Sequence, residues 1–473
     1  MQTKTTIRLV TIATALVYTG VLAGWHLYSP ERGVALQAPG ADNRPPETAR
    51  KAGDVRIGEF FMRYAETPSS LTGKWPCFRG ETFMNIIRTS ENVTPGAGDY
   101  PVLWSVDTGE GHAAPVIYNG RVYFLDYDET LSSDMLRCFS LESGQELWRR
   151  WYRVPMKRNH GFSRTAPVVS GDYIITLGPQ GHVMCCHPAS GDLLWTIDMQ
   201  KTFHTEVPFW YAGQCPRVDD GTLVLAPAGA ETLLAGIDCR TGEVVWQTPN
   251  SVKYKMSHSS VTPMTLHGKR TYVYTGVGGV CGVSAERGDR GALLWSTSRW
   301  QPSVVAPSPL QLSAGAIFLV AGYGTGGALL HVSRNDAQWS ASIVEQYKPK
   351  DGLSSEQQTP ILYNNTLISI MPKDGGSLRD RLVLFSPSDL HTPLWVSGAG
   401  ERFGLGPYLV INDCLFAFKE DGELYVYGIR SKSMNLIKKQ RIMDGVDAWG
   451  PMAYADGRLL VRDAHAVKCL GII

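Results

Sequence analysis

Eight prolines divide this chain at a nearly constant interval. Pro115, Pro167, Pro216, Pro263, Pro309, Pro360, Pro407 and Pro451 follow one another at steps of 44 to 52 residues, and each opens a β-rich run. A period of that size marks one supersecondary unit copied around an array, because a single unit cannot bury its own apolar face. The second half of the unit repeats as well. A Ser/Thr-Gly turn leads into a short strand ending in Trp at Ser143–Trp148, Ser190–Trp195 and Thr241–Trp246; Gly291–Trp295 keeps the spacing, and looser copies end at Trp339 and Trp395. Glycine supplies the positive φ of a tight hairpin, and the strand beyond it seats the Trp between neighbouring sheets. Two more strands fit between proline and turn, as in Pro115–Leu125, split by Asn119-Gly120, and Leu136–Leu141.

Four strands per unit and eight units predict an all-β fold, an eight-bladed β-propeller of four-stranded antiparallel blades. The first Trp strand, Leu103–Val106, precedes the first proline opening, whereas the last opening ends after Ala466–Leu470 with no strand left to follow. The strand near Trp104 is therefore expected to complete blade 8 and remove both exposed edges. A seven-bladed ring would have to discard one proline signature.

Ahead of the ring, Lys4 and Arg8 precede an apolar run from Leu9 to Trp25, and the next charge is Glu31. This predicts an N-terminal hydrophobic helix over residues 1–28, either a cleaved signal peptide or a retained signal anchor, with the remainder exported. Val21–Ala23 offers a cleavage site; the length of the run suits an anchor. The expected location is extracytoplasmic, in the periplasm or at the cell exterior, tethered to the inner membrane or released. Residues 29–70 read as a Pro/Gly-rich linker, in which Gly58–Tyr64 forms a short amphipathic patch that either docks on the ring or stays free. The propeller itself is assigned to 71–473.

With 45 basic against 44 acidic residues, no nucleic-acid footprint is expected. The basic runs Arg149–Arg153 and Lys438–Arg441 fit solvated strand edges. Of the nine cysteines, Cys138, Cys185 and Cys469 fall at matching places in third strands, where a small apolar side chain packs between sheets. The adjacent Cys185 and Cys186 allow a vicinal disulfide, but the repeat reads more simply as two free thiols facing opposite sides of one strand. No Gly-x-Ser-x-Gly elbow, phosphate loop or His-Glu-x-x-His is present.

The segment Thr165–Trp195 resembles the repeat of the pyrroloquinoline quinone (PQQ)-binding-like β-propellers, and Trp75–Gly80 (Trp-Pro-Cys-Phe-Arg-Gly) resembles the element that opens many exported bacterial members. The resemblance covers essentially residues 71–473. It implies the fold and leaves the activity open, since that superfamily holds quinone-dependent alcohol and glucose dehydrogenases as well as a non-catalytic lipoprotein that helps assemble outer-membrane proteins. A dehydrogenase would need cationic donors for the quinone carboxylates, a Ca²⁺ with oxygen ligands and a carboxylate base. The Glu/Asn/Asp calcium set has no assignable counterpart, the insertions of the longer alcohol dehydrogenases are missing, and no heme-attachment Cys-x-x-Cys-His occurs. PQQ with Ca²⁺ is thus a possible cofactor, with none expected, and no metal site is assigned.

Residues just before each proline are expected to share one face of the ring, around the central channel. There stand His112, Asn159, His160, Arg164, Trp210, Tyr211, Gln214, His258, Ser259, Gln357, Gln358, Arg402, Asp447 and Trp449. Convergent His, Arg, Gln and aromatic groups suit an anion, a sugar, a peptide or a metal; a hydrated channel lined by polar groups is the simpler alternative. The histidines are spaced by the blade period alone, so they carry no metal signal. Three functions are compatible with this reading. They are a non-catalytic binding or scaffold module for an envelope protein or extracytoplasmic ligand, a PQQ-dependent oxidoreductase, and a carbohydrate-recognition module using Trp210 and Arg164. A monomer is expected.

Overall fold

The computed structural model describes residues 2–28, 55–64, 69–91, 93 and 98–473. The chain divides into two units, Met1–Val55 and Arg56–Ile473. In the first, Gln2–Tyr28 is an α-helix. Its 26 residues from Thr3 contain an 18-residue stretch of mean hydropathy 1.6 and are long and apolar enough to cross a membrane, spanning about 39 Å at ~1.5 Å per residue. Most of the linker assigned to 29–70 lies outside the described residues.

The second unit is an eight-bladed propeller. The eight first strands are Val116–Tyr118, Val168–Ser170, Arg217–Asp219, Thr262–Leu266, Leu310–Gln311, Ile361–Tyr363, Tyr408–Ile411 and Ala453–Ala455. Seven of the eight prolines immediately precede or stand within them, where the missing N–H costs no ladder bond. Each first strand is followed outward by three antiparallel partners. In blade 8 the outermost is Val102–Asp107, paired with Ala466–Gly471 through Cys469↔Trp104. The ring is closed by the strand around Trp104.

The period has a physical cause in the fourth strand. Its Trp pairs with a small or apolar residue of the third: Cys138↔Trp148, Cys185↔Trp195, Gly236↔Trp246, Gly282↔Trp295, Leu384↔Trp395 and Cys469↔Trp104. A β-bulge follows each of these positions. Cβ atoms on Gly236 or Gly282 would collide with the facing indole, so these cysteines are the small residue a large ring requires. All nine cysteines are free thiols, Cys185 and Cys186 among them. The ring of one blade then lies on the turn glycine of the next. Cβ atoms on Gly144, Gly191, Gly242 and Gly291 would come within 2.6, 2.7, 2.7 and 2.8 Å of neighbouring side chains, with Trp104, Trp148, Trp195 and Trp246 in contact respectively. Three of these indoles also donate into the next blade, Trp104 to the Leu141 carbonyl at 2.9 Å, Trp148 to Pro188 at 3.2 Å and Trp195 to Cys239 at 2.7 Å.

Trp339 departs from the expected repeat. In blade 5 the bulge falls between Leu329 and Leu330, and Leu329 faces Glu345. Glu345 therefore holds the repeat's Trp position, and Trp339 sits in an extension of the Gly326–Asn335 and Gln338–Tyr347 hairpin. Blade 7 has Lys438 there, opposite Val426.

Two stretches before the ring join it. Phe60–Arg63, within the amphipathic patch, adds a strand to the outer edge of blade 1, pairing Phe60 with Trp151. Trp75–Gly80 does more than open the domain. The chain passes beside blade 8, where the Gly73 N–H donates to Asp456 at 2.7 Å. It pairs Trp75 with Ile117 of blade 1, accepts a bond from the Val169 N–H of blade 2 at Pro76, and lays Ile86–Ile87 parallel to Val410–Ile411 of blade 7. At its apex Arg79, 3% exposed, donates to the carbonyls of Phe83, Thr359, Met84 and Pro360. Segment 71–91 thus plugs the channel and ties blades 8, 1, 2, 6 and 7 to one another.

Candidate functional site

Above the plug the channel opens into a funnel of about 370 Å³, with Phe78 reaching it from the plug. The loops that lead into the first strands bring His112, His160, Arg164, Trp210, His258, Gln357, Gln358, Asp447 and Trp449 to its wall. These connect fourth strand to first strand and so lie at the same end of every blade. The loops between second and third strands end on that side too, and two of them contribute Tyr323 and Lys373. Glu356 joins from the blade 5–6 connection. Sequence reasoning missed all three; the shared direction of those two loop sets was the available signal.

Five expected residues stand elsewhere. Asn159 and Tyr211 brace the two loops that carry Arg164 and Trp210, since Asn159 Nδ2 donates to the Phe209 carbonyl at 2.9 Å and Tyr211 Oη donates to Lys157. Gln214 is fully buried and bonds both ways with the Ala226 backbone, at 2.7 and 3.0 Å. Ser259 is buried behind the wall, and exposed Arg402 donates to the Arg379 carbonyl.

The wall is organised by stacking and desolvation. His112, 1% exposed, lies flat on Trp449 with centroids 3.4 Å apart. Burial, with the charges of Arg462 and Arg164, pushes its imidazole down to about 2, so it is neutral at every working pH. His258 is likewise pushed down to about 4 by burial and then by Arg164. Arg164 lies 5.7 Å over the Trp449 ring. Its Nη2 donates to the carbonyls of Asn159 at 2.5 Å, His160 at 2.9 Å and Gly161 at 3.5 Å. Burial lowers it to about 10, which leaves the guanidinium fully charged. Across the funnel, Trp210 stacks on Tyr323 at 6.1 Å, and Lys373 sits 5.0 Å over the same tyrosine while pairing with Glu356 at 3.3 Å. Behind His112 its N–H donates to the Ser163 carbonyl. Ser163 Oγ bonds Asp134 at 3.2 Å, a carboxyl that burial pushes up to about 7.

An eight-bladed ring with a Trp-and-glycine repeat and a polar funnel at one end defines a PQQ-like repeat propeller. The chain belongs to the PQQ_2 family, whose model, described as outer membrane protein assembly factor BamB, matches residues 132–379. BamB from Moraxella catarrhalis superimposes with a TM-score of 0.51 at 12% identity, covering 79% of this chain and 100% of that one. The quinohemoprotein alcohol dehydrogenase from Comamonas testosteroni gives 0.57 at 12% identity, over 84% and 80%. A europium-containing methanol dehydrogenase gives 0.54 at 12%, over 82% and 89%. At such identities the likeness is one of fold. No curated protein sequence matches significantly.

Proposed function

We propose that this chain is an exported or membrane-anchored propeller, acting as a monomer, that serves as a non-catalytic binding or scaffold module for a cell-envelope protein or extracytoplasmic ligand. The observation that carries this reading is the state of the funnel's reactive groups. His112 is stacked and neutral, Arg164 is held by carbonyls, and Glu356 is already paired with Lys373. None of these three is a free base poised beside a reacting atom; Asp447 and His160 line the funnel as further polar groups.

A quinone–calcium pair asks for several oxygen ligands around one cation. Among the described residues no group of three His, Cys, Asp or Glu side chains is placed to hold a metal. Cys185 and Cys186 are buried free thiols in the third strand of blade 2, outside the funnel lining. These residues do not fit that pair. The outer-membrane assembly role in the BamB family description supports a protein partner, and the apolar helix supports a membrane tether. The balanced charge supports no nucleic-acid role.

The test is a titration of the full-length chain, in detergent, with pyrroloquinoline quinone and Ca²⁺, read by absorbance, thermal shift and dye reduction with alcohols and sugars. No saturable uptake and no turnover are expected. Stabilising uptake with turnover would overturn the reading, since a ligand selective for the folded state must raise its stability. Carbohydrate recognition is the second reading, favoured by the stacked Trp210–Tyr323 pair; there, Trp210→Ala should abolish glycan binding.

A further inference from the structure

Trp210 and His258 have a cavity on either side. One is the funnel. The other, of about 260 Å³, lies among the connections of blades 2 to 5; Val207, Pro208, Met256, Val277, Val304 and Val305 make its apolar wall, and the paired Glu206 and Lys255 line it as well. Trp210, His258 and Val304 line both. At the cleft's lip Phe209 is 76% exposed, edge-on to Trp210 at 5.4 Å. An aromatic ring that exposed, beside a cleft with an apolar wall, is an unfilled apolar surface.

The funnel side of the same wall carries a cation with no ion-pair partner, although Asp447 lines the funnel too and the charge of Glu110 acts on it. Lys373 has Glu356, Lys255 has Glu206 at 2.6 Å and Arg158 has Glu110 at 2.5 Å. Arg164 bonds only to carbonyls through Nη2, and its buried Nε has no partner. Its Nη2 donates to the Asn159 carbonyl, and Asn159 Nδ2 donates to the carbonyl of Phe209 at the cleft's lip, so one residue links the guanidinium to that edge. Neutral His258 adds a hydrogen-bonding group on the shared wall without a competing charge.

A half-buried guanidinium bonded to carbonyls and to no carboxylate favours a ligand that brings one, and its planar fork suits a carboxylate. The ligand must carry that carboxylate close to an apolar group, because only the wall of Trp210, His258 and Val304 separates the two cavities. The last residue of a polypeptide has both on a single carbon, and terminal carboxylates are a recurrent recognition handle. Resting on the recognition reading above, we propose that the paired cavities bind the C-terminal residue of a partner polypeptide, its carboxylate on Arg164 and its apolar side chain in the cleft beside Trp210.

The probe is the peptide acetyl-Gly-Gly-Ala-Leu as free acid and as amide, titrated into the full-length chain and followed by tryptophan fluorescence. The acid should bind at least about tenfold more tightly than the amide, a comparison that needs no variant to fold. Arg164→Gln should erase the preference. Val277→Trp, at a residue that lines the cleft and not the funnel, should weaken the Leu-ended acid more than a Gly-ended acid. Equal binding of acid and amide, no binding of either, or tighter binding of octanoate than of the acid would overturn the proposal. Quinone uptake with turnover would instead overturn the recognition reading itself, so the two failures are distinguishable.

Discussion

The ring is held together in two different ways along its circumference. From blade 8 through blade 4, each junction is a Trp laid on the next blade's turn glycine, with an indole N–H bond at the first three. From blade 5 to blade 7 the same slot holds Glu345, Trp395 and Lys438, and no turn glycine receives them. The joints become Glu345 with His391, Trp395 edge-on to Tyr427 at 5.7 Å, and Lys438 over Tyr100 at 4.5 Å. The plug makes up the difference, since Arg79, Asn85 and Ile86–Ile87 bond to blades 6 and 7. A repeat can lose its own inter-blade device when an element from outside the repeat holds the same blades.

The strongest way to break this contrast is at the rings themselves. Trp148 is 1% exposed, and Trp148→Ala should cost about 4 kcal/mol through cavity formation. Trp395→Ala, at a half-buried ring, should cost about half as much; denaturant unfolding of both variants measures the gap. Next, Arg79→Met removes four charge-assisted bonds from a buried apex and should cost about 3 kcal/mol. Hydrogen exchange should then rise in blades 6 and 7 before blades 2 to 4, and a uniform rise would refute the division of labour.

A smaller effect isolates the glycine. Gly191 has φ 74° and a Cβ would come within 2.8 Å of Trp148, whereas Gly221 has φ 70° with open space around it. Gly191→Ala should cost about 2 kcal/mol and Gly221→Ala about 1 kcal/mol, the common part being the left-handed backbone. The smallest concerns the Glu345–His391 joint. Glu345 raises the imidazole above its ordinary value, followed by its bond to the Asp351 carbonyl. A raised value stabilises the fold fully below the unfolded value near 6.5, and the benefit is lost as pH rises through the folded one. His391→Gln should therefore remove about 0.5 kcal/mol at pH 6 and almost nothing at pH 8.5, the modest size reflecting a side chain that is 47% exposed.

How far the sequence reaches follows the same division. Proline and Trp-Gly signals lie within one blade length, so they gave blade number, closure by Trp104 and the place of the cysteines. The plug left no such trace. Beyond the local Phe83 and Met84, Arg79 reaches a carbonyl 280 residues away and Asn85 one 323 away, and carbonyls carry no side-chain signature. In the funnel, His112, Arg164 and Trp449 follow from the proline rule. Tyr323 and Lys373 stand on the other loop set, and Asn159 and Tyr211 brace the loops that hold the wall. Trp339 misled because the blade 5 hairpin is longer than its siblings, which shifts the bulge and with it the register.

Closure between Val102–Asp107 and Ala466–Gly471 also orders events in time. A ribosome finishes the second strand some 360 residues after the first, at roughly 5–20 residues per second, so blade 8 stays open for tens of seconds. The channel that receives segment 71–91 is incomplete over the same interval. A segment made before any blade is thus among the last to find its seat, and the strand Ala466–Gly471 decides whether the ring shuts.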